Sequence, residues 1–356
     1  MRFRKKTVRD VDVSGQVVLV RVDYNVPIKD GEVVDDMRIR ASFPTLQYLM
    51  QQGAAKIVLI SHLGRPEGQP NPEFSLAPVA KKLAELLPDK DVRFCNATVG
   101  EAARYAVDNL PQGGIILLEN LRFSPLEEEN SDAYADEILS ATEADIFVQD
   151  GFAVIHRAHA STDAIARKIP AVAGLLVEKE VSSLEGVMTN PERPLLVIIG
   201  GAKVEDKQPL IEQFLPIADS IAVGGKIAAD GYTSKNEKVY VADEFVEDEN
   251  GAKLDISQKC AAEIMRMAIM AKTVVWNGVL GKIEDPRFAK ASLAVAYAIG
   301  ENKDCFSVIG GGDTAGFINS IDDDDLSFGL VSTGGGASLE LLSGKSLPGL
   351  EILLNS

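Results

Sequence analysis

The chain has 356 residues, 46% of them apolar, and its 53 acidic and 36 basic residues give a formal net charge of −17. This length favours about two domains, and the acidic balance disfavours nucleic acid and anionic membrane surfaces as partners. The three cysteines are scattered and odd in number, so they predict no disulfide framework or metal site. No apolar run approaches membrane-spanning length and no signal peptide is recognisable, so we expect a cytoplasmic protein without a membrane partner.

The apolar runs of the first half end in basic or polar side chains. These runs are nearly continuous in Val, Ile and Leu and alternate with helical patterns, which predicts parallel strands covered on both faces. Ligands of open α/β sheets bind at the carboxyl ends of the strands. The first half is therefore predicted to bind a small anion through side chains. The runs lie at 17–25, 57–66, 115–123 and 145–159.

The polar residues at these strand ends form a candidate anion site. All three histidines of the chain lie here, each within three residues of an arginine. One such histidine is usually structural, but arginine suits bidentate binding of carboxylate and phosphate, and the first strand adds an aspartate and an asparagine for a hydroxyl group. We expect a substrate that carries phosphate, hydroxyl and carboxylate groups. The candidates are Asp23, Asn25, Arg38, His62, Arg65, Arg122, His156, Arg157 and His159.

A helix is predicted between the two halves. Apolar residues recur at helical spacing over 173–188, and the two prolines of TNPERP stop the helix. The predicted organisation is an N-terminal lobe over 1–172, a connecting helix over 173–188, a C-terminal lobe over 189–338 and a final segment over 339–356.

The apolar runs of the second half end in glycine instead. Glycine lets backbone N–H groups approach a phosphate, and the N-terminus of a following helix adds free donors. The second half is therefore predicted to bind phosphates through its backbone. These runs lie at 195–203, 221–226, 274–278, 306–314 and 330–338.

Three charged residues beside these glycines are candidates for phosphate chemistry. Lys203 and Lys207 are four residues apart, so on a helix they share a face; the alternative is a pair of solvated lysines. Asp313 follows three glycines and is either a helix N-cap or a carboxylate for nucleotide-bound Mg²⁺. There is no Walker motif, and a permissive dinucleotide pattern at Gly310–Ala315 lacks the acidic residue expected after it.

Taken together, the ordered motifs resemble the signature set of the phosphoglycerate kinase family from about residue 17 to 350. The resemblance implies an α/β fold of two Rossmann-like parallel-sheet lobes that are joined by an interdomain helix and close about a hinge, with the C-terminal segment returning to the N-lobe. The motifs are RVDYNVP, RIRASFPTLQYL, SHLGRP, LLENLRF, HRAHAS, GGAKVEDK, WNG, GGGDT and STGGGASLELLSGKSLPG.

The family activity that the resemblance implies is the reversible transfer of a phosphoryl group between 1,3-bisphosphoglycerate and ADP, which gives 3-phosphoglycerate and ATP in glycolysis and gluconeogenesis. It implies Mg²⁺ as the cofactor, bound as MgATP or MgADP, and a monomer is expected. The phosphoglycerate site would comprise Asp23, Asn25, Arg38, His62, Arg65, Arg122 and Arg157. The nucleotide site would comprise Gly201, Ala202, Lys203, Lys207, Asn277, Glu284, Gly311, Gly312, Asp313 and Thr314, with Asp313 toward the metal.

The mechanism implied by the resemblance needs no general base, because the reverse nucleophile is a carboxylate that is ionised at neutral pH. Catalysis would come from alignment and from neutralising charge on the transferred phosphoryl group. We expect Arg38 and Lys203 to reach that group, with backbone amides around Gly312 and Gly335.

Departures from the family pattern keep other interpretations open. Residues are missing between Tyr232 and Val239, WNGVLGKIE loses a proline and a phenylalanine of the family motif, and DGFAVIHRAH departs from DAFGTAHRAH. Similarly, VQD replaces VND, and the histidine before STGGGA is replaced near Leu330. One alternative is a non-catalytic relative that binds phosphoglycerate but has an impaired nucleotide site. The other is a dinucleotide oxidoreductase, which rests only on the glycine pattern.

Overall fold

Alternating apolar runs and amphipathic segments fold into two α/β units in this computed structural model, which describes residues 3–356 apart from the side chains of Val204 and Asp206. One unit contains the chain up to Lys179 together with Ser346–Ser356, and the other contains Glu180–Lys345. We call them the N-terminal and C-terminal units.

A six-stranded parallel sheet forms the centre of the N-terminal unit, in the order β5-β6-β4-β1-β7-β8. Its central strands are buried along almost their whole length, which explains their unbroken apolar sequence. A two-stranded antiparallel hairpin accompanies it. The strands are β1 (Val17–Arg21), β2 (Ile28–Lys29), β3 (Glu32–Val33), β4 (Lys56–Ile60), β5 (Val92–Cys95), β6 (Gly114–Leu118), β7 (Ile146–Gln149) and β8 (Ala171–Ala173).

Helical segments connect the strands of the six-stranded sheet. Ser131 caps the helix that follows it by accepting from Tyr134 N, as its position before an apolar pattern leads one to expect. The helices are α1 (Met37–Ala41), α2 (Phe43–Gln51), α3 (Ala77–Leu86), α4 (Gly100–Asp108) and α5 (Asp132–Thr142), with a π-helical segment at Ala160–Ala164.

The C-terminal unit repeats this architecture with the sheet order β11-β10-β9-β14-β15-β16, again all parallel. The antiparallel pair β12 and β13 lies outside that sheet. The strands are β9 (Leu195–Ile199), β10 (Ser220–Val223), β11 (Val239–Val241), β12 (Phe245–Glu247), β13 (Lys253–Ile256), β14 (Thr273–Asn277), β15 (Phe306–Gly310) and β16 (Leu330–Val331). The prediction of two parallel-sheet α/β lobes is confirmed.

One connection between parallel strands of this unit contains less helix than the others. Parallel strands β10 and β11 are joined by residues 224–238, which contain a single short helix. This is the region in which the sequence lacks residues relative to the family pattern. The helices are α7 (Val204–Phe214), α8 (Gly225–Ala229), α9 (Gln258–Met270), α10 (Lys290–Gly300), α11 (Gly312–Asn319) and α12 (Gly335–Leu342).

The helix expected between the lobes is α6 (Leu175–Thr189), and the division into units falls within it, after Lys179. Beyond α12 the chain contains only the short helix α13 (Pro348–Glu351). The final segment packs on the N-terminal unit, where Leu354 N donates to Ala171 O at 3.0 Å and Lys6 N donates to Leu354 O at 2.7 Å. Ser346–Ser356 belong to this unit, whereas α12 packs on α7 and α11 of the other.

Among the described residues, no helix is long and apolar enough to cross a membrane.

Candidate functional site

The first candidate site lies in the N-terminal unit, at the carboxyl ends of adjacent strands. Strands β4, β1 and β7 are neighbours, and Arg21 at the end of β1 is in register with Ile60 and Gln149. Residues that follow these strands therefore converge.

Asp23 anchors the predicted anion-binding residues. Its carboxylate is 6% exposed; it accepts a hydrogen bond from Arg38 Nη1, and its Oδ1 lies 3.9 Å from His62 Nδ1. The Arg38 side chain is 27% exposed, so part of its guanidinium remains open to a ligand. A buried carboxylate that holds an arginine in this way reduces the freedom of the cation before any ligand arrives.

A second group of predicted residues meets at the loop after β4. Asn25 Oδ1 accepts from Gly64 N at 2.9 Å, and Arg122 Nη1 donates to Gly64 O at 2.9 Å. Asn120 supports the same loop by donating to Leu63 O at 2.7 Å. Asn25 and Arg122 are thus fixed against one turn of backbone.

Arg65 and Arg157 are the exposed members of the set. Arg157 Nε lies 3.3 Å from His156 Nε2. Burial is the main cause that lowers the pKa of Arg122, and the positive charges of Arg157 and Arg65 contribute in the same direction. Arg65 and Arg157 therefore add positive charge around the buried Arg122.

Sequence reasoning missed the buried part of this site. Arg21 is 1% exposed; its Nη2 lies 3.2 Å from His62 Nδ1, and its Nε donates to Ser161 Oγ at 2.8 Å. Glu127 is fully buried and accepts from Ser161 N at 3.0 Å and from Ser161 Oγ at 2.5 Å. The available signal was an arginine inside the apolar run VVLVRV, because a charge within a buried strand requires a partner.

The two histidines nearest to these groups are held in the neutral form. Burial, followed by the positive charges of Arg21, Arg122 and Arg38, places the pKa of His62 well below its usual value. Burial also lowers the pKa of His159 to about 4, with Arg122 and Arg21 as further causes. At neutral pH these imidazoles donate or accept single hydrogen bonds and do not add charge.

The second candidate site lies in the C-terminal unit, where Asn277 at the end of β14 is in register with Ile199 and Gly310 of the neighbouring strands. Gly278 follows with φ +95°, and a Cβ on it would lie 2.1 Å from Gly200 O. Gly201 N donates to Val279 O at 2.8 Å. Glycine is required here because backbone passes against backbone.

Asn277 connects the predicted lysine to the glycine loops. It is fully buried, and Lys207 Nζ donates to its Oδ1. An ammonium group only donates, so this bond fixes the orientation of the amide. Within the described part of the chain, Asn277 Nδ2 has no hydrogen-bond partner, and it lies 3.0 Å from the position that a Cβ on Gly310 would occupy. A buried donor of this kind is suited to a phosphate oxygen.

The structure corrects two local expectations. Lys203 is the N-cap residue of α7 in extended conformation, so it precedes the helix on which Lys207 lies, and the two lysines do not share a helical face. Asp313 is not an N-cap, because Gly311, with φ +91°, occupies that position of α11 and Asp313 lies in the first turn. Both Lys203 and Asp313 are exposed.

The remaining predicted nucleotide residues surround the start of α11. Thr314 Oγ1 accepts from Gly278 N at 2.9 Å, which joins α11 to the loop after β14. Gly335, the first residue of α12, approaches so closely that a Cβ on it would lie 2.9 Å from Gly312 N. The N-termini of two helices thus meet at Gly312. Ala202 and Glu284 are exposed.

The residues present fit Mg²⁺ that arrives with a nucleotide. The described residues contain no group of three or more His, Cys, Asp or Glu side chains able to hold a metal ion. Asp313 offers one exposed carboxylate beside the glycine loops. Mg²⁺ is usually held by one or two carboxylates together with substrate phosphates, so a single carboxylate suffices.

The chain is similar to known proteins along almost its whole length. The family model for phosphoglycerate kinase matches residues 8–239 and 228–345. A phosphoglycerate kinase of Clostridium tetani (strain Massachusetts / E88) is 40% identical over 399 aligned positions, which cover 99% of this chain and 98% of the relative. Among solved structures, the phosphoglycerate kinase from Coxiella burnetii has a TM-score of 0.80 at 33% identity, and that from Pyrococcus horikoshii OT3 has 0.85 at 28%; each match covers 98% of both chains.

Proposed function

The chain belongs to the phosphoglycerate kinase family, and we propose how its own residues carry out the family's reversible phosphoryl transfer between 1,3-bisphosphoglycerate and ADP. The N-terminal lobe, residues 1–172, binds the phosphoglycerate, and the C-terminal lobe, residues 189–338, binds the nucleotide. The observation that carries this proposal is that a buried carboxylate, Asp23, holds Arg38 beside His62 at the strand ends. The family assignment also replaces the oxidoreductase alternative, and it gives no support to a non-catalytic relative.

In the acceptor site, Arg65, Arg122 and Arg157 bind the phosphate of 3-phosphoglycerate. Arg65 and Arg157 are exposed, Arg122 is buried with its Nη1 bound to Gly64 O, and guanidinium groups match phosphate oxygens bidentately. Asp23 and Asn25 orient the substrate hydroxyl, since one accepts and the other can donate. Arg38 and the neutral His62 lie next to the substrate carboxylate, which is the reacting group.

In the donor site, Lys207 and Asn277 bind the nucleotide phosphates together. The Lys207–Asn277 hydrogen bond fixes the ammonium, and Asn277 Nδ2 provides a buried donor. Backbone amides of Gly311, Gly312 and Gly335 add donors at helix N-termini. Gly201 and Ala202 contact the adenosine, and Glu284 binds the ribose. Thr314 fixes the loop after β14 against α11.

Phosphoryl transfer then requires alignment and charge neutralisation only. The carboxylate nucleophile of 3-phosphoglycerate is already ionised, so no side chain has to remove a proton. Arg38 and Lys203 neutralise the charge on the transferred phosphoryl group, with Gly312 and Gly335 amides beside them. The two ligands must meet away from water, and we propose that the lobes close about the connecting helix to achieve this.

Asp313 would hold Mg²⁺ on the nucleotide phosphates. When bound, this ion neutralises phosphate charge and orients the phosphates. Removal of Mg²⁺ with a chelator is therefore expected to abolish turnover while leaving phosphoglycerate binding to the N-terminal lobe intact, as measured by calorimetry.

Arg38→Ala tests the central role, with Arg40→Ala as a matched control. Both arginines lie on α1, but Arg40 is exposed and pairs with Asp36 at 2.7 Å. We expect Arg38→Ala to lower kcat by about 10²- to 10³-fold, the usual loss for one stabilising donor, and Arg40→Ala to leave kcat within a factor of two. If Arg38→Ala kept its turnover rate and only raised KM, the proposed role would be wrong.

We also propose that the protein is a cytoplasmic monomer. The three cysteines are free thiols, two of them buried, which fits a reducing compartment. Analytical ultracentrifugation tests the oligomeric state: a species of about 38 kDa supports the proposal, and one of twice that mass contradicts it.

A further inference from the structure

We propose that Glu127 is a positioning residue for the acceptor site, which acts through Ser161 and Arg21 to set the tautomer of His62. The proposal rests on the proposed function, because it assigns His62 a task in binding phosphoglycerate. All of the contacts lie within the N-terminal unit. Hydrogen bonds join four side chains, from a buried carboxylate to the substrate site. We call this set, Glu127, Ser161, Arg21 and His62, the relay.

The relay begins at Glu127, the last residue of the 3₁₀ turn Pro125–Glu127. Both of its carboxylate oxygens accept from Ser161, one from the hydroxyl at 2.5 Å and one from the backbone N–H at 3.0 Å. Ser161 belongs to the π-helical segment Ala160–Ala164, and π-helical turns are frequent at functional sites. The position of Ser161 is thus fixed by two bonds to one carboxylate.

Ser161, held in this way, in turn positions the side chain of Arg21. A serine hydroxyl has one hydrogen, which goes to Glu127, so its oxygen is left to accept from Arg21 Nε at 2.8 Å. Arg21 Nη1 donates to Val22 O, and Nη2 points to His62 Nδ1 at 3.2 Å. The guanidinium of Arg21 is therefore held at three of its nitrogen atoms.

The last bond determines the state of His62. Arginine has no acceptor, so His62 Nδ1 must accept, and a neutral imidazole then carries its proton on Nε2. His62 is 4% exposed and is kept neutral by its surroundings. The relay thus leaves Nε2–H as a hydrogen-bond donor for an anionic substrate group.

Glu127 also supplies the negative charge that this buried cluster needs. Burial raises the pKa of the Glu127 carboxyl group, whereas the positive charges of Arg21 and Arg122 and the hydrogen bonds from Ser161 oppose that shift and favour the ionised form; His159 Nδ1 lies 3.9 Å from its Oε1. Without this charge the buried Arg21 would depend on Asp23, the other carboxylate that favours its charged form, and Asp23 already holds Arg38. A buried charge that loses its partner moves or changes its contacts.

The test compares Glu127→Gln with Glu129→Gln. Glu129 lies two residues away and is exposed, so its replacement removes the same charge without touching the relay. We expect Glu127→Gln to raise the KM for 3-phosphoglycerate by about 10- to 100-fold, as for misplaced binding groups, with the KM for nucleotide within a factor of two. Glu129→Gln should leave both KM values unchanged.

Nitrogen-15 NMR of the imidazoles gives a readout that a merely structural role would not move. The chain has only three histidines, so the resonances can be assigned by substitution. Wild type should show His62 protonated on Nε2 alone, and Glu127→Gln should show a mixture of tautomers. This measurement does not depend on turnover. An unchanged tautomer would therefore contradict the role of Glu127 even in an active enzyme, and a protein without the proposed activity could still be tested.

Ser161→Ala removes the hydroxyl that joins Glu127 to Arg21. It tests the proposal if Glu127→Gln does not fold. It should give the same rise in KM and the same mixture of tautomers. A single Nε2–H tautomer in the folded variant would overturn the proposal, whatever its KM. An unchanged KM for 3-phosphoglycerate would overturn it as well.

Discussion

Gly278→Ala is predicted to destabilise the C-terminal unit and to disturb the nucleotide site at the same time. Gly278 has φ +95°, where an L-residue is strained by about 1 to 2 kcal/mol. The new Cβ would lie 2.1 Å from Gly200 O and 2.8 Å from Gly201 N. These are backbone atoms, so no side-chain rotation relieves the contact, and overpacking adds about 1 to 3 kcal/mol. We expect a loss of about 3 kcal/mol.

The consequence for function follows from the hydrogen bonds on either side. Gly200 N donates to Asn277 O at 3.0 Å and Gly201 N to Val279 O at 2.8 Å, so separating the two loops breaks the contacts that align them. The KM for nucleotide should rise, while the KM for 3-phosphoglycerate should stay within a factor of two, because that site lies in the other unit.

Urea unfolding followed by tryptophan fluorescence measures the effect directly. Trp276 is the only tryptophan of the chain, is fully buried, and donates to Gly278 O at 2.8 Å. It therefore reports on the C-terminal unit alone. With a urea dependence of about 2 kcal/mol per molar, the midpoint should fall by about 1.5 M.

Gly312→Ala is the matched control for stability. No heavy atom lies within 4 Å of the Cβ that it would add, and the φ of Gly312 is not in the left-handed region. Its midpoint should stay close to that of the wild type. If Gly278→Ala unfolded at the wild-type midpoint, the reasoning from backbone contact would be refuted.

Three further substitutions test the pH dependence of stability, the packing around α6 and the phosphate contact of Lys207. Burial raises the pKa of Asp150 from 3.8 to about 7, so the folded state holds this proton more tightly than the unfolded state and stability falls as pH rises from about 4 to 7; Asp150→Asn should remove about 2.5 kcal/mol of that dependence between pH 5 and pH 8, measured by urea unfolding with circular dichroism. An unchanged slope would contradict the assignment. Gly186→Ala should raise stability by about 0.5 to 1 kcal/mol in thermal unfolding, because Gly186 lies within α6 with no atom within 4 Å of the added Cβ; a destabilised variant would show that this surface is packed. Lys207→Met should raise the KM for nucleotide by about tenfold or more without changing that for 3-phosphoglycerate, since a charge-assisted phosphate contact is worth about 1.5 to 3 kcal/mol, and equal affinity would remove Lys207 from the phosphate site.

The sheets were predictable because parallel strands that are covered on both faces read as unbroken apolar runs. The strands that the sequence did not reveal are short or polar. Val92–Cys95 contains Arg93 and lies at one edge of its sheet, and Ala171–Ala173 has three residues at the other. Neither gives a periodicity that can be distinguished from a loop.

The candidate site was predictable where chemistry follows a strand end, and not where it depends on distant contacts. Asp23 and His62 each lie two residues beyond a strand, so the topology alone brings them together. Arg21 and Glu127 are more than a hundred residues apart in the chain, and only the π-helical turn that contains Ser161 joins them. The departure of Lys203 from its predicted helix has a similar origin, because the start of α7 is set by the tight turn at Gly201.

The most direct test of the central claim is a turnover assay with 3-phosphoglycerate and Mg²⁺, with ATP, GTP or pyrophosphate as the phosphoryl donor and release of the dephosphorylated donor as the signal. We expect acyl phosphate formation that requires both 3-phosphoglycerate and Mg²⁺, proceeds with a nucleoside triphosphate and fails with pyrophosphate. Absence of product with every donor would contradict it.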